Sequence, residues 1–174
     1  MECLWKNFAA SIDMFRDAVQ LCPDTIWQSE GKFYYLTYHT IIFLDYYLSV
    51  PVISFKPLLP YTICTETELP DQAVDDVLPC KSYSREEVLL FLRQIRNKCH
   101  DLIRDSSEEK LKSKWIDPAE IDLHGLCPSV VENYTVLEIL FYNFRHVQHH
   151  VAQMNFILRK EIDRTPDWIS HVPS

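Results

Sequence analysis

The stretch that decides the fold is residues 135–162, TVLEILFYNFRHVQHHVAQMNFILRKEI. Apolar residues recur along it at three- and four-residue spacing, which predicts one long amphipathic helix. Thr135 and Glu138 form a capping box at its start, in which a hydroxyl and a carboxylate satisfy opposite backbone donors of the first turn. Pro166, shortly after the last apolar residue, marks the end of the helix.

Three histidines lie in the middle of this predicted helix. At about 100° per residue, His146 and His150 share one face, while His149 points to the side. A histidine pair with this spacing can direct two imidazole nitrogens at one point, as a metal site requires. Asn143 and Gln153 lie on the same face. Because a buried imidazole needs partners for both nitrogens, we expect these amides to support the histidines or to contact a substrate.

A second helix, residues 32–49, is apolar on nearly all sides, which predicts a central position in the fold. His39 lies in its middle. An isolated histidine among apolar residues is usually a hydrogen-bonded core residue, but a matching pair on another helix favours His39 as a third metal ligand. His124, in an irregular stretch between helices, is a reserve ligand because a loop can reach over the mouth of a bundle.

Two further helices are predicted at residues 4–21 and 84–105, so the chain is expected to be all-α and to form a single domain over residues 1–174. Residues 51–83, with five prolines, separate the second and third helices. A connection of this length often carries function or crosses the fold. We therefore expect a four-helix bundle with a long crossover between its second and third helices.

The composition excludes several classes of function. The net charge of -8, without any basic run, disfavours binding to nucleic acid or to an anionic membrane. With only two glycines, a hairpin-rich β fold and a phosphate-binding loop are also disfavoured. Six scattered cysteines without a CxxC pair, and a start that lacks an export signal, predict reduced thiols and a cytoplasmic location.

The sequence also resembles a known family. The spacing H-x-x-H-H-x-x-Q at residues 146–153, together with YHTIIFLDYYLS at residues 38–49, resembles the DinB/YfiT-like metalloprotein superfamily. FKP at 55–57, SYS at 82–84 and EIL at 138–140 resemble one branch of it, so the similarity spans most of the chain.

The resemblance implies a four-helix bundle with a long crossover and a three-histidine site for one divalent ion, zinc or nickel being favoured. By motif position the implied ligands are His39, His146 and His150, which the helix-face argument selects independently. Because family members include mycothiol-dependent maleylpyruvate isomerase and bacillithiol transferases, the leading hypothesis is a thiol S-transferase. In it, the ion activates a low-molecular-weight thiol co-substrate that attacks a small electrophile.

The sequence identifies no catalytic side chain beyond the metal ligands. The residues expected to hold the substrate or to support the ligands are Tyr35, Phe43, Tyr46, Tyr142, Asn143 and Gln153.

Two alternatives stay open at this stage. A metal-dependent hydrolase would need a general base, and no Asp or Glu lies on the histidine faces, since Asp45 faces away from His39. The other alternative is a non-catalytic, stress-related bundle that binds metal or dimerises through its apolar faces, which makes a second copy of the chain an expected partner. Three histidines suit several ions, so the pattern does not name the metal.

Overall fold

The computed structural model describes residues 1–27 and 31–172, and there the protein is mostly helical with little strand. The all-α prediction is thus confirmed, and each of the four predicted helices is present within two residues of its expected ends. A short fifth helix, α4, lies between the last two long ones and was not predicted. The helices are α1 (Glu2–Leu21), α2 (Lys32–Tyr47), α3 (Arg85–Arg104), α4 (Glu108–Lys112) and α5 (Val136–Ile162).

The ends of the long helices follow from local sequence. Helix α5 begins with the predicted capping box: the Thr135 hydroxyl accepts from the Glu138 backbone N–H, and the Glu138 carboxylate accepts from the Thr135 N–H. Ser84 begins α3 with a capping box of the same kind. Helix α5 ends at Asp163, whose left-handed φ of 53° lets its N–H reach the Arg159 carbonyl oxygen at 3.0 Å.

Each of the four long helices packs against two others. Helices α1 and α2 both contact α3 and α5, so the core lies between these four elements. The predicted central position of α2 is confirmed, because every residue of α2 except Lys32 and His39 is buried. The contact between α2 and α5 is therefore the place where His39 meets the histidines of α5.

The long connection between α2 and α3 contains a small antiparallel sheet that was not predicted from the sequence. Its strands are β1 (Tyr61–Ile63) and β2 (Val77–Pro79). Three-residue strands are too short to show the alternation of apolar and polar residues that identifies a strand in a sequence. The sheet is attached to α2, where the Tyr38 hydroxyl donates to the Pro60 carbonyl oxygen at 2.8 Å. The connection is thereby held against the central helix.

In the two described ranges, no helix combines the length and the apolar character needed to cross a bilayer. The longest, α5, spans 27 residues but has charged and histidine side chains along its middle.

Candidate metal centre

Three histidine side chains meet between α2 and α5. His39 comes from α2, and His146 and His150 from successive turns of α5. The Nε2 atom of His146 lies 3.0 Å from Nε2 of His39 and 3.0 Å from Nε2 of His150, and one nitrogen from each ring lies within 4.8 Å of the others. Nitrogen ligands of a tetrahedral zinc ion are separated by roughly 3.3 Å. The cluster therefore has the size of a metal site and could hold an ion.

The outward-facing nitrogens of two of these rings have hydrogen-bond acceptors. Nδ1 of His39 donates to Oδ2 of Asp75 at 2.8 Å, and Nδ1 of His150 donates to Oε1 of Gln153 at 2.8 Å. Asp75 is itself held in place, because its Oδ1 accepts from the Val77 backbone N–H at 3.2 Å. Acceptors of this kind fix the tautomer and the orientation of a metal-ligating histidine. Gln153, which was expected to support the histidines or to contact a substrate, is placed by the structure against His150.

Counting protons shows that the three rings cannot satisfy one another. In a neutral imidazole only one nitrogen carries a proton. Since Nδ1 is the donor in His39 and His150, their Nε2 atoms present lone pairs, and both point at the single Nε2 of His146. That atom can supply at most one proton, so at least one of the two 3.0 Å contacts brings two lone pairs together. A cation between the three nitrogens would remove this conflict.

The remaining nitrogen of His146 can carry the proton of that ring. Nδ1 of His146 is buried and has no hydrogen-bond partner within residues 1–27 and 31–172. If this nitrogen carries the ring proton, all three Nε2 atoms present lone pairs to one point. The donor set then consists of three neutral imidazoles, the arrangement that suits a divalent transition metal.

Burial keeps the rings of His146 and His150 uncharged. It is the main cause that lowers the pKa of His146 from 6.5 to about 2, with further contributions from His150 and His39. Burial likewise lowers the pKa of His150 to about 4, although the hydrogen bond to Gln153 opposes the shift. Because a metal binds only the unprotonated nitrogen, both side chains are in the ligating form at neutral pH.

Aromatic side chains surround the cluster. The Phe43 ring centre lies 4.7 Å from the ring of His39 and 5.9 Å from that of His146. Tyr142 lies nearly parallel to His146, at 9° and 6.4 Å, so two of the predicted aromatic residues are at the site. Tyr47, whose ring lies 6.0 Å from His146, was not predicted. This apolar wall strengthens electrostatic interactions inside the cluster by keeping water away.

Two predicted supporting residues lie elsewhere. Tyr46 shares the angular position of His39 on α2, but seven residues place it about 10 Å farther along the helix. Its ring there contacts Phe55 at 5.3 Å. Asn143 is fully buried and donates to the Leu44 carbonyl oxygen at 3.0 Å, so its amide joins α5 to the backbone of α2. A helical wheel predicts the direction in which a side chain points, but not its position along the helix axis or the group that it contacts.

Tyr35 lies one turn before His39 on α2, and its ring contacts the neighbouring Tyr34 at 6.0 Å. The reserve ligand His124 is placed outside the cluster. Its Nε2 lies 3.2 Å from the Val52 carbonyl oxygen, and its ring packs against Phe55.

His149 is exposed and does not belong to the three-histidine group, as its angle on the helix predicts. Asp45 also faces away from His39, as predicted: it pairs with Lys98 on α3, with Oδ1 2.6 Å from Nζ.

Asp75 was not predicted from the sequence. It lies on none of the helix faces that carry the histidines but in the connection, two residues before β2. No periodicity marks such a position. The available signal was the connection itself, because a long segment held against a central helix can place a carboxylate beside a buried histidine.

No protein-family model matches the chain, and neither a curated protein nor a solved structure matches it.

Proposed function

We propose that the protein binds one divalent metal ion through the Nε2 atoms of His39, His146 and His150. The observation that carries this proposal is the convergence of three imidazole nitrogens that have too few protons to pair with one another. Asp75 and Gln153 would hold the rings of His39 and His150 in the ligating tautomer. Zinc and nickel are the preferred candidates, because imidazole nitrogen suits both ions.

The fold assignment is part of the same proposal. We propose that the four long helices form a bundle of the DinB/YfiT-like type, with the 51–83 connection as its crossover. Two kinds of observation support this: the motif residues around His39, His146 and His150, and the packing of each long helix against two others. A cytoplasmic location fits the six cysteines, which are all free thiols.

We further propose that the site serves a thiol S-transferase. A divalent ion held by three neutral imidazoles keeps its full charge, and when bound it would lower the pKa of a thiol placed beside it. The chain's own part is to exclude water with Phe43, Tyr47 and Tyr142 and to hold the small electrophile against these rings. The co-substrate would be a low-molecular-weight thiol. Its S–H proton would pass to solvent, and its sulfur would form the new bond to the electrophile as the leaving group of the electrophile departs with the electrons of the bond that breaks.

Hydrolysis is the less supported enzymatic alternative. It requires a general base for the attacking water, and the carboxylate closest to the ligands, Asp75, already accepts hydrogen bonds through both oxygens. A thiol needs less help, since its pKa of about 8.5 lies near neutrality before any activation.

The metal proposal is tested by elemental analysis of protein purified without chelators. We expect about one ion per chain in the wild type and a large loss in the His39→Ala and His150→Ala variants. His149→Ala is the matched control, because His149 lies next to His150 but is exposed and outside the cluster. Full metal content in both cluster variants would refute the ligand assignment.

The transferase proposal needs a separate assay. Conjugation of a small thiol to a model electrophile is compared among metal-loaded wild type, metal-free wild type and His146→Ala. We expect a rate above background only in the first sample, with His149→Ala behaving like the wild type. Background rates in all samples, at full metal content in the wild type, would leave a metal-binding protein that does not catalyse this reaction.

A further inference from the structure

A cleft of ≈ 220 Å³ lies between α1, α5 and the segment that follows α5. Its floor is formed by buried residues, Ser11 and Met14 on α1 and Val151 on α5. Gln148 and Ala152 are exposed at its rim. None of these residues belongs to the histidine cluster between α2 and α5, so the cleft is separate from the metal centre.

The cleft contains a hydrogen-bond acceptor that the chain itself leaves unpaired. Asn155 on α5 lines the cleft, and its Oδ1 atom is buried and has no hydrogen-bond partner among the described residues. An unpaired buried carbonyl oxygen costs free energy, so this atom is a ready acceptor for a donor from outside the chain. Because the terminal torsion of an asparagine side chain is broad, the amide can turn toward such a donor in the cleft. A ligand that fits here therefore carries an N–H or O–H group.

An aromatic side chain lines the same cleft. Trp168 lies in the segment after α5, and 72% of it is exposed. The segment is attached on both sides of Trp168. The Thr165 hydroxyl accepts from the Arg159 guanidinium at 3.2 Å, and the Val172 backbone N–H donates to the Lys6 carbonyl oxygen at 3.2 Å. A large ring that is held beside a cleft and left mostly uncovered is suited to stack on a flat ligand.

The size and the charge of the cleft limit the ligand further. Pockets for drug-sized molecules begin at roughly 300 Å³, whereas a cavity of about 150 Å³ holds benzene, so a volume of ≈ 220 Å³ suits a pair of fused rings. Within the described part of the chain no charged side chain lines the cleft, although the protein has 25 acidic and 17 basic residues. An ion placed there would lose hydration without gaining a counter-charge, so the ligand is uncharged.

From these observations we infer that the cleft between α1 and α5 binds an uncharged, flat molecule of two fused rings with an N–H donor, the chemistry of indole. The rings lie on Met14 and Val151 against Trp168, and the N–H donates to Oδ1 of Asn155. Contacts of an aromatic ring with a methionine sulfur and with another aromatic ring are favourable without any charge. Because no histidine of the cluster lines the cleft, ligand binding here and metal binding can fail independently.

Calorimetric titration of the full chain with indole tests this inference, and benzofuran is the matched ligand. Benzofuran has nearly the same shape as indole, but an oxygen replaces the N–H group. We expect indole to bind with a Kd below about 1 mM, which is within reach of a ligand of this size. Indole should bind about fivefold more tightly than benzofuran, the usual effect of one hydrogen bond. In the NMR spectrum, indole should shift the signals of the Trp168 ring N–H and of the Asn155 side-chain amide.

Three variants separate the contributions to binding. Asn155→Leu should bind indole and benzofuran equally, because it removes the acceptor and keeps the apolar floor. Trp168→Ala should weaken the binding of both ligands by about tenfold and keep the preference for indole. Asn97→Leu is the matched control and should behave like the wild type, because Asn97 is exposed on α3, outside the cleft. Unchanged circular dichroism shows that each variant folds.

The inference is overturned by any of three results. The first is that the wild type does not bind indole up to the solubility limit of the ligand. The second is that it binds benzofuran as tightly as indole. The third is that the preference for indole survives in Asn155→Leu, which would place the N–H group of the ligand elsewhere.

Discussion

Helix α2 directs polar side chains into the core on two sides, and the two sides are built differently. Toward α3, Asp45 accepts from Lys98, whose ammonium group also donates to Ser49 Oγ at 2.6 Å and to the Asp45 carbonyl oxygen at 3.0 Å. Three donors thus meet three acceptors, and one negative charge meets one positive charge. Toward α5, His39 meets two more bases, and no proton distribution among neutral rings satisfies all their contacts.

The difference separates a structural polar contact from a binding site. A buried polar group is tolerated when its partners are supplied by the chain, as they are for Lys98. The histidine cluster is supported on its outer side by Asp75 and Gln153, and on its inner side the Nε2 atoms of three bases converge on one another. Oriented imidazoles whose nitrogens converge in this way are what a metal-binding protein requires.

The largest expected effect is metal-dependent stabilisation on the α5 side. At a free zinc concentration 1,000 times the dissociation constant, binding should raise the free energy of unfolding by about 4 kcal/mol. His146→Leu should abolish this increment, because it removes the ligand that contacts both other rings. Urea unfolding with and without zinc measures the difference.

The same variant should be tolerated without metal. Leucine removes a ring whose Nδ1 has no partner among the described residues, so the metal-free protein should stay within about 1.5 kcal/mol of the wild type. A severe loss of stability in the metal-free variant would mean that the histidine cluster is a structural contact like the one at Lys98.

Lys98→Met provides the opposite test on the α3 side. It leaves the buried Asp45 carboxylate without its counter-charge, so the free energy of unfolding should fall by about 3 kcal/mol. This value is at the lower end of the range for buried ion pairs, because a third of the Lys98 side chain is exposed. Metal content should not change. Adding Asp45→Leu should recover part of the loss, since an apolar pair needs no counter-charge. Equal stability of the wild type and Lys98→Met would show that the pair is not important for the fold.

A smaller effect is expected from Asp75→Ala, which removes the acceptor of His39 Nδ1 but no ligand. Metal affinity should fall 10–100-fold, the usual effect of losing such a partner. The absorption spectrum of the cobalt-substituted protein should shift as well, because the His39 ring is freed to rotate. Asp76→Ala is the matched control: Asp76 is exposed, and among the described residues its hydrogen bond is made by its backbone oxygen, which accepts from the Cys64 N–H. If the two variants behaved alike, Asp75 would have no role at the site.

How far the sequence predicts the fold depends on the length of each element. The four long helices could be located because apolar periodicity and capping boxes act over many residues, as at Thr135 and Glu138. The strands β1 and β2 and the five-residue α4 could not, since each is too short for a period to appear. Their positions are set by tertiary contacts, such as the hydrogen bond from Tyr38 to Pro60.

The site shows the same limit. The angle per residue was enough to select His146 and His150 and to exclude His149, and the structure brings the selected pair together with His39. The angle on the helix does not predict which group a side chain contacts. Asn143 was therefore expected at the cluster, whereas its amide donates to the backbone of α2. Asp75 could not be found this way, because its position depends on how an irregular connection folds back.

The smallest expected effect concerns acid, and it has opposite signs on the two sides of α2. On the α5 side the folded-state pKa values of His146 and His150 lie at about 2 and about 4, below the ordinary value of 6.5. As the pH falls, the unfolded chain therefore takes up protons first, and stability is lost from about pH 6.5 down toward the folded-state values. On the α3 side burial raises the pKa of Asp45 despite Lys98, so the folded chain takes up that proton first.

Near neutrality the two histidines should determine how the free energy of unfolding changes with pH. This pH range crosses the pKa of about 6.5 that they have in the unfolded chain. Between pH 7.5 and pH 6, metal-free protein should lose roughly 1 kcal/mol of unfolding free energy for each of the two histidines. His146→Leu should lose about half as much as the wild type, whereas Asp45→Asn should follow the wild-type curve in this window. Urea unfolding at several pH values, in the presence of a chelator, gives these slopes. A flat wild-type curve would mean that the two rings are not held neutral, and the contrast between the two sides of α2 would then disappear.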